Sequence, residues 1–309
     1  MDHRLEPIRS NLQARFSAAA APVLVVDSGD VVSFATPDVG WGLEPPTSIT
    51  SPRRKVEPRD PVKDNGPCLC GPVAVRGADP GDVLEIGIEA VRPAAWGWTY
   101  AGKGMATPAY NTGLGIGESP LTLVRWTIDE DRTRATNQLG HTVPVRPFPG
   151  MIGLAPDPAR DDGDGWRPRA CGGNMDCREL IAGSVLFLPV EVKGGLLYIG
   201  DGHAAQGDGE LSGTAIECAM EEVRVRLTVR KGMRITGPRV RTAEGWVTLG
   251  FGASLDEAAE RATSALLDVM ESELRIQRAE ALAIASSCVH LRITQVVNPL
   301  KGVHALWVR

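Results

Sequence analysis

The sequence predicts a mainly β protein with some α+β character, built as joined layers around a shared core. Three observations carry that expectation. Val83-Leu84-Glu85-Ile86-Gly87-Ile88-Glu89-Ala90-Val91 and the run from Met220 to Val229 alternate apolar and polar residues, the period of a half-buried strand. The 35 glycines and 23 prolines cut the chain into short runs, as strands joined by turns require. Helical signals are confined to a pair near the C-terminus, opening at Ser254.

In chain order, residues 5–20 read as a short polar start with at most a helical turn. Pro22 to Val26 and Val31 to Thr36 read as strands, with Ser28-Gly29-Asp30 turning between them. Asp38 stands at the end of the second, either facing a site or making an Asx turn. Residues 43–70 carry six prolines (45, 46, 52, 58, 61 and 67) and no periodicity, which predicts a long loop able to cover a pocket. Strand character returns at Gly71. Residues 94–118, with Trp96, Trp98, Tyr100 and Tyr110 among glycines, read as a loop with aromatic anchors. Leu121 to Ile128 is a strand, Asp129-Glu130-Asp131-Arg132 a charged turn, and 142–145 an edge strand that tolerates Pro144. Residues 147–156 give a turn and a buried strand, and 157–170 an acidic exposed stretch. After Val229, strands recur over 234–251. Ser254 with Glu257 then resembles a capping box opening a helix to Val269. A second helix ends near Ser286, and a strand covers 291–298.

Composition narrows the classes. With 309 residues, 43% hydrophobic and 23% charged, the chain can bury a sizeable core. A net charge of -5 with no basic block argues against nucleic acid as a partner. No apolar run approaches the roughly 18 residues of a spanning helix, and the N-terminus has no signal-peptide core, so a cytoplasmic protein away from membranes is expected. Cysteines stand at 68, 70, 171, 177, 218 and 288 without a CxxC pair; reduced thiols are expected.

Residues 172–217 hold the chemistry. Gly172-Gly173-Asn174-Met175-Asp176 precedes two apolar runs, 184–190 and 195–199. The second delivers Gly200-Asp201-Gly202-His203-Ala204-Ala205-Gln206-Gly207-Asp208-Gly209-Glu210, and the stretch closes at Glu217. Glycines let such a loop fold tightly and bring acids, an amide and an imidazole together. Converging oxygen and nitrogen ligands suit a divalent metal; a solvated polar turn is the plainer reading.

GGNMD followed by LFLPVEVKGGLLYIGDGHAAQGDGELSGTAIE resembles the signature of the acetamidase/formamidase family. Gly71 to Leu84 (GPVAVRGADPGDVL) and Pro147 to Gly153 (PFPGMIG) resemble its earlier segments, and the final helix and strand 291–298 also fit. The likeness runs in order over about residues 20–305. It implies one unit over 1–309 with intertwined subdomains at about 20–155 and 171–305, β-sandwich-like layers with a helix pair near the C-terminus, homo-oligomers, and zinc or calcium. Cys177 and the segment 141–146 depart from the family's pattern near the expected site and bear on which amide is accepted.

The chemistry implied is release of ammonia from formamide, acetamide or a similar short amide. No Gly-x-Ser-x-Gly elbow is present, and the histidines are only His3, His141, His203, His290 and His304. A water activated by a divalent metal, zinc first and calcium second, is the better expectation. His203, Asp201, Asp176, Asn174 and Asp38 are the candidate ligands, and Glu217 with His203 the candidate catalytic pair, with Glu210 as the other choice of base. The alternatives are a binding module whose metal is saturated by protein ligands, and an amidase or lactamase using Cys171 or Cys177 as the nucleophile.

Overall fold

The computed structural model describes residues 1–308. The mainly β expectation holds: two large sheets carry the chain, and among the described residues the only long helices are Leu255–Leu274 and Arg278–Cys288. The first sheet has nine strands. Its longest strands are the antiparallel pair Val83–Pro93 and Met220–Arg230, two of the stretches whose alternation is plainest in the sequence. Asp2–Leu5 lies at one edge, parallel to Val31–Thr36, and Val289–Gln295 lies at the other, beside Lys301–Val308.

The second sheet is built around Leu197–His203. Every residue of this strand is buried. It pairs with Phe148–Leu154, Glu217–Cys218 and Leu69–Val75. Thr142–Pro144 ends the sheet, paired only with Arg134–Asn137, the edge position expected for a strand containing proline. Apolar side chains from both sheets, including Phe34, Ile86, Val225, Phe148 and Ile199, form one buried cluster between them.

Ser254 caps the first long helix: its hydroxyl accepts from the Glu257 amide at 3.2 Å, while the Glu257 carboxylate accepts from the Ala253 amide at 2.7 Å. The buried face of this helix (Ala258, Ala262, Leu266, Met270) packs on Val303, Ala305 and Trp307. Gly250 is the point of contact, because a Cβ there would run into the helix backbone at Ala258 and Ala262.

Two stretches are more ordered than the sequence suggests. Residues 94–118 contain the strand Trp96–Ala101 and the short helix Pro108–Gly113. The strand is disguised by Gly97, which lies against Ile216 and Glu217. Residues 43–68, mostly without regular structure, are pinned by side chains. Arg59 lies over Trp41 with its guanidinium 4.7 Å from the ring centroid, and Arg9 holds Asp64 through two bonds of 2.7 and 2.9 Å. Among the described residues no helix is long and apolar enough to cross a membrane.

Candidate functional site

The end of the Leu197–His203 strand places the site. His203 is opposite Glu217 on one neighbouring strand and Phe148 on the other. Its Nε2 lies 3.2 Å from Asp201 Oδ1 and 3.3 Å from Glu217 Oε1, and it is fully buried. The Phe148 ring meets the imidazole edge-on at a centroid distance of 5.1 Å. Asp176 and Glu210 approach the same histidine, so that two groups, Asp176–His203–Glu210 and Asp201–His203–Glu217, each bring their ligand atoms within 4.8 Å of one another.

The backbone is shaped for this convergence. Asp176, Asp201 and Glu210 have φ of 47°, 55° and 48°, a region few non-glycine residues occupy and one often found at functional sites. The Asp176 and Met175 amides both donate to the Gly150 carbonyl at 3.1 Å, which turns the chain after Asn174 inward. Gly150 itself must lack a side chain. A Cβ there would sit 2.6 Å from His203 Cε1 and 2.7 Å from Asp201 Oδ2.

Gln206 fixes the imidazole. Its Nε2 donates to the Asp176 carbonyl at 2.8 Å, which turns its Oε1 toward His203 Nδ1 at 2.9 Å. Nδ1 therefore carries a proton toward Gln206, and Nε2 is the nitrogen that faces the carboxylates. Behind the cluster, Gln295 donates to the Asn174 carbonyl at 2.8 Å, and Asn298 donates to Asp176 Oδ2 at 3.4 Å and to Gln295 Oε1.

The electrostatics are unbalanced. Four buried carboxylates surround one imidazole, and among the described residues no lysine or arginine forms an ion pair with any of the four. Burial pushes Asp176 and Glu210 well above the usual carboxylate range, with Asp201 and Glu217 adding to the first and Asp176 to the second. Burial also raises Glu217 to about 7. For Asp201 burial pushes upward, but the charge and hydrogen bond of His203 together with a hydrogen bond to Glu217 hold the carboxyl low. Burial would lower His203, yet Glu217 and Asp201 drive it well above its ordinary value. The site thus demands positive charge at Nε2. Asn174 Oδ1, Asp176 Oδ1, His203 Nε2 and Glu217 Oε2 are all buried without a hydrogen-bond partner. Buried polar atoms are rarely left so. One nitrogen and several oxygen donors around a charge deficit fit a divalent cation.

Of the residues singled out from sequence, Asn174, Asp176, Asp201, His203 and Glu217 gather here. Asp38 has other partners: it pairs with Arg53 and accepts from Trp98 Nε1 at 2.8 Å and the Gly42 amide at 2.7 Å. Glu210, Gln206, Gly150, Gln295 and Asn298 complete the surroundings. His141 lies exposed on a turn. Cys171 and Cys177 are buried, and burial pushes both thiols up to about 12.

A cavity of about 640 Å³ adjoins the cluster. Glu210 and Gln206 stand in its wall, and the strands bearing Trp126 and Val143 form its far side.

The sequence profile of the Acetamidase/Formamidase family matches residues 9–163 and 159–301. An acetamidase of Mycolicibacterium smegmatis is 31% identical over 206 residues, 48% of this chain and 50% of its own. The chain spans about half the length of the curated relatives first matched. The crystal structure of an acetamidase from Bacillus halodurans superposes with a TM-score of 0.83 at 29% identity, covering 98% of this chain and 96% of that one. An acetamidase from Yersinia enterocolitica gives 0.84 at 26% identity, covering 100% and 92%.

Proposed function

From the premise that this chain belongs to the acetamidase/formamidase family, we propose that it is an amidohydrolase, releasing ammonia from carboxylic amides at the His203 cluster. The observation that carries the reading is the buried cluster of four carboxylates around one imidazole, in which Asp176 Oδ1, His203 Nε2 and Glu217 Oε2 have no hydrogen-bond partner, nor has Asn174 Oδ1 two residues before Asp176. His203 through Nε2, with Asp201, Asp176 and Asn174, would hold a divalent ion, zinc by the mixed nitrogen and oxygen donors, calcium as the second choice. When bound, such an ion lowers the pKa of a water and polarises the amide carbonyl. Asp38 is the weakest of the proposed ligands, since its oxygens are already engaged by Arg53, Trp98 and Gly42.

The residues divide the proton work. Glu217, raised to about 7 and with Oε2 unpartnered, takes a proton from the attacking water. Glu210 stands at the cavity wall beside Asp176, and burial with the Asp176 charge raises its carboxyl above the usual range. It gives its proton to the departing amine, so the C–N bond breaks as the new C–O bond is completed, leaving carboxylic acid and ammonia. Gln206 keeps the Nδ1 proton of His203 in place throughout. A thiol nucleophile is disfavoured, because Cys171 and Cys177 are buried and their thiolates are costly to form.

The test is ammonia release from formamide, acetamide and propionamide, before and after chelation and after zinc is restored. Activity lost on chelation and recovered with metal is expected. Activity indifferent to chelation overturns the metal-assisted reading, and no ammonia from these or from larger primary amides overturns hydrolysis.

A further inference from the structure

The cavity beside the cluster is far larger than the amides just named require. Acetamide carries a single methyl on its carbonyl, whereas cavities of roughly 300–1,000 Å³ are the size that encloses drug-sized ligands. This one measures about 640 Å³. Its wall is largely apolar: Trp126, Val143 and Val145 on one side face Leu211 and Ile216 on the other. The indole N–H of Trp126 is already spent on Thr99 Oγ1 at 3.0 Å, so the ring presents an apolar face. The two arginines at the cavity are each opposed by a carboxylate. Arg146 bonds Glu179 at 2.7 Å, and Arg178 lies 3.8 Å from Asp208. The space therefore suits an uncharged apolar group. Glu210 and Gln206 line the same cavity, and both belong to the cluster around His203. A carbonyl held at the cluster would direct its substituent into this space.

We infer that the substrates are primary amides with a bulky apolar acyl group, seated between Trp126 and Leu211, rather than formamide or acetamide. The inference rests on the amidohydrolase reading and adds to it the class of acyl group. The gain comes from apolar surface withdrawn from water, and each methylene accommodated by such a pocket is worth about tenfold or more in selectivity.

Two measurements on the full, metal-loaded chain test it. In the first, kcat/KM is compared for acetamide, hexanamide and phenylacetamide. Phenylacetamide or hexanamide is expected to exceed acetamide by at least roughly tenfold. Equal values, or a preference for acetamide, overturn the inference while leaving amide hydrolysis intact. Hydrolysis of none of the three removes both. In the second, phenylacetate, the hydrolysis product, is titrated while tryptophan fluorescence is followed. A saturable change that disappears in Trp126→Phe is expected. An unmoved signal, as when a second copy of the chain fills the cavity, overturns the inference. Val143→Asp, and independently Leu211→Asp, are expected to lower the ratio of phenylacetamide to acetamide efficiency about tenfold. An unchanged ratio in both overturns the placement of the acyl group.

Discussion

Gln206 Oε1 lies 2.9 Å from His203 Nδ1, while the same side chain's nitrogen is held by the Asp176 carbonyl. One amide therefore sets which nitrogen of the histidine faces the carboxylates and ties the ring to the chain just past the strand Gly172–Asn174. Gln206→Leu removes both bonds, and a third from the same nitrogen to the Thr294 carbonyl at 3.4 Å, with little change in volume. A lost partner of this kind costs about 10- to 100-fold in metal affinity or activity. Metal retained after dialysis against a weak chelator is the measurement, with a fall of that size expected.

Gly150→Ala tests the close approach at the cluster. The added methyl has no room between His203 Cε1 and Asp201 Oδ2. Displacing either side chain by an ångström costs about 100-fold in rate, and overpacking costs about 1–3 kcal/mol in stability. Turnover and metal content are expected to fall together, read against a far-ultraviolet spectrum that keeps its β character.

Arg53→Ala probes Asp38. Its carboxylate is fully buried, and Arg53 is the basic partner recorded for it. Removing one member of a buried pair costs about 3–5 kcal/mol. A lower urea midpoint is expected, with metal stoichiometry unchanged if Asp38 anchors residues 43–68 rather than binding an ion.

His304 gives a pH dependence of known direction. The ring is buried, Nδ1 meets Thr294 Oγ1 at 2.9 Å, and burial lowers its pKa from 6.5 to about 4. Between those values the unfolded chain binds the proton and the folded chain does not. Stability from this group is thus fully present above pH 6.5 and falls as pH drops toward 4, by on the order of 3 kcal/mol. Urea unfolding at pH 7 and 4.5 is expected to show the loss in the wild-type chain and a shallower slope in His304→Asn.

Much of the cluster was readable because its carboxylates and imidazole crowd into one stretch. Asp176, Asp201, His203 and Glu217 lie within 42 positions and bracket two plainly buried runs. Glu210 was harder. It shares a glycine-rich loop with Asp208, and no periodicity there distinguishes a buried acid from a wet one. Gly150, Gln295 and Asn298 carry no local signal; their roles arise only when strands distant in sequence come side by side. The same holds for Asp38, whose partners Arg53 and Trp98 lie 15 and 60 residues away. Among the elements, the strand Trp96–Ala101 was hidden by Gly97, which serves close approach rather than alternation.

The pairing of Val83–Pro93 with Val185–Pro189 and Met220–Arg230 bears on how the chain is made. During synthesis the first of these strands leaves the ribosome with no partner on either side. Its neighbours follow about a hundred residues later, several seconds at ordinary rates of translation. Closure of both sheets waits on distant segments, so folding is slow for the chain's size. Until Met220–Arg230 has emerged, the nascent chain carries an open, apolar strand edge that invites association with other chains or capture by chaperones.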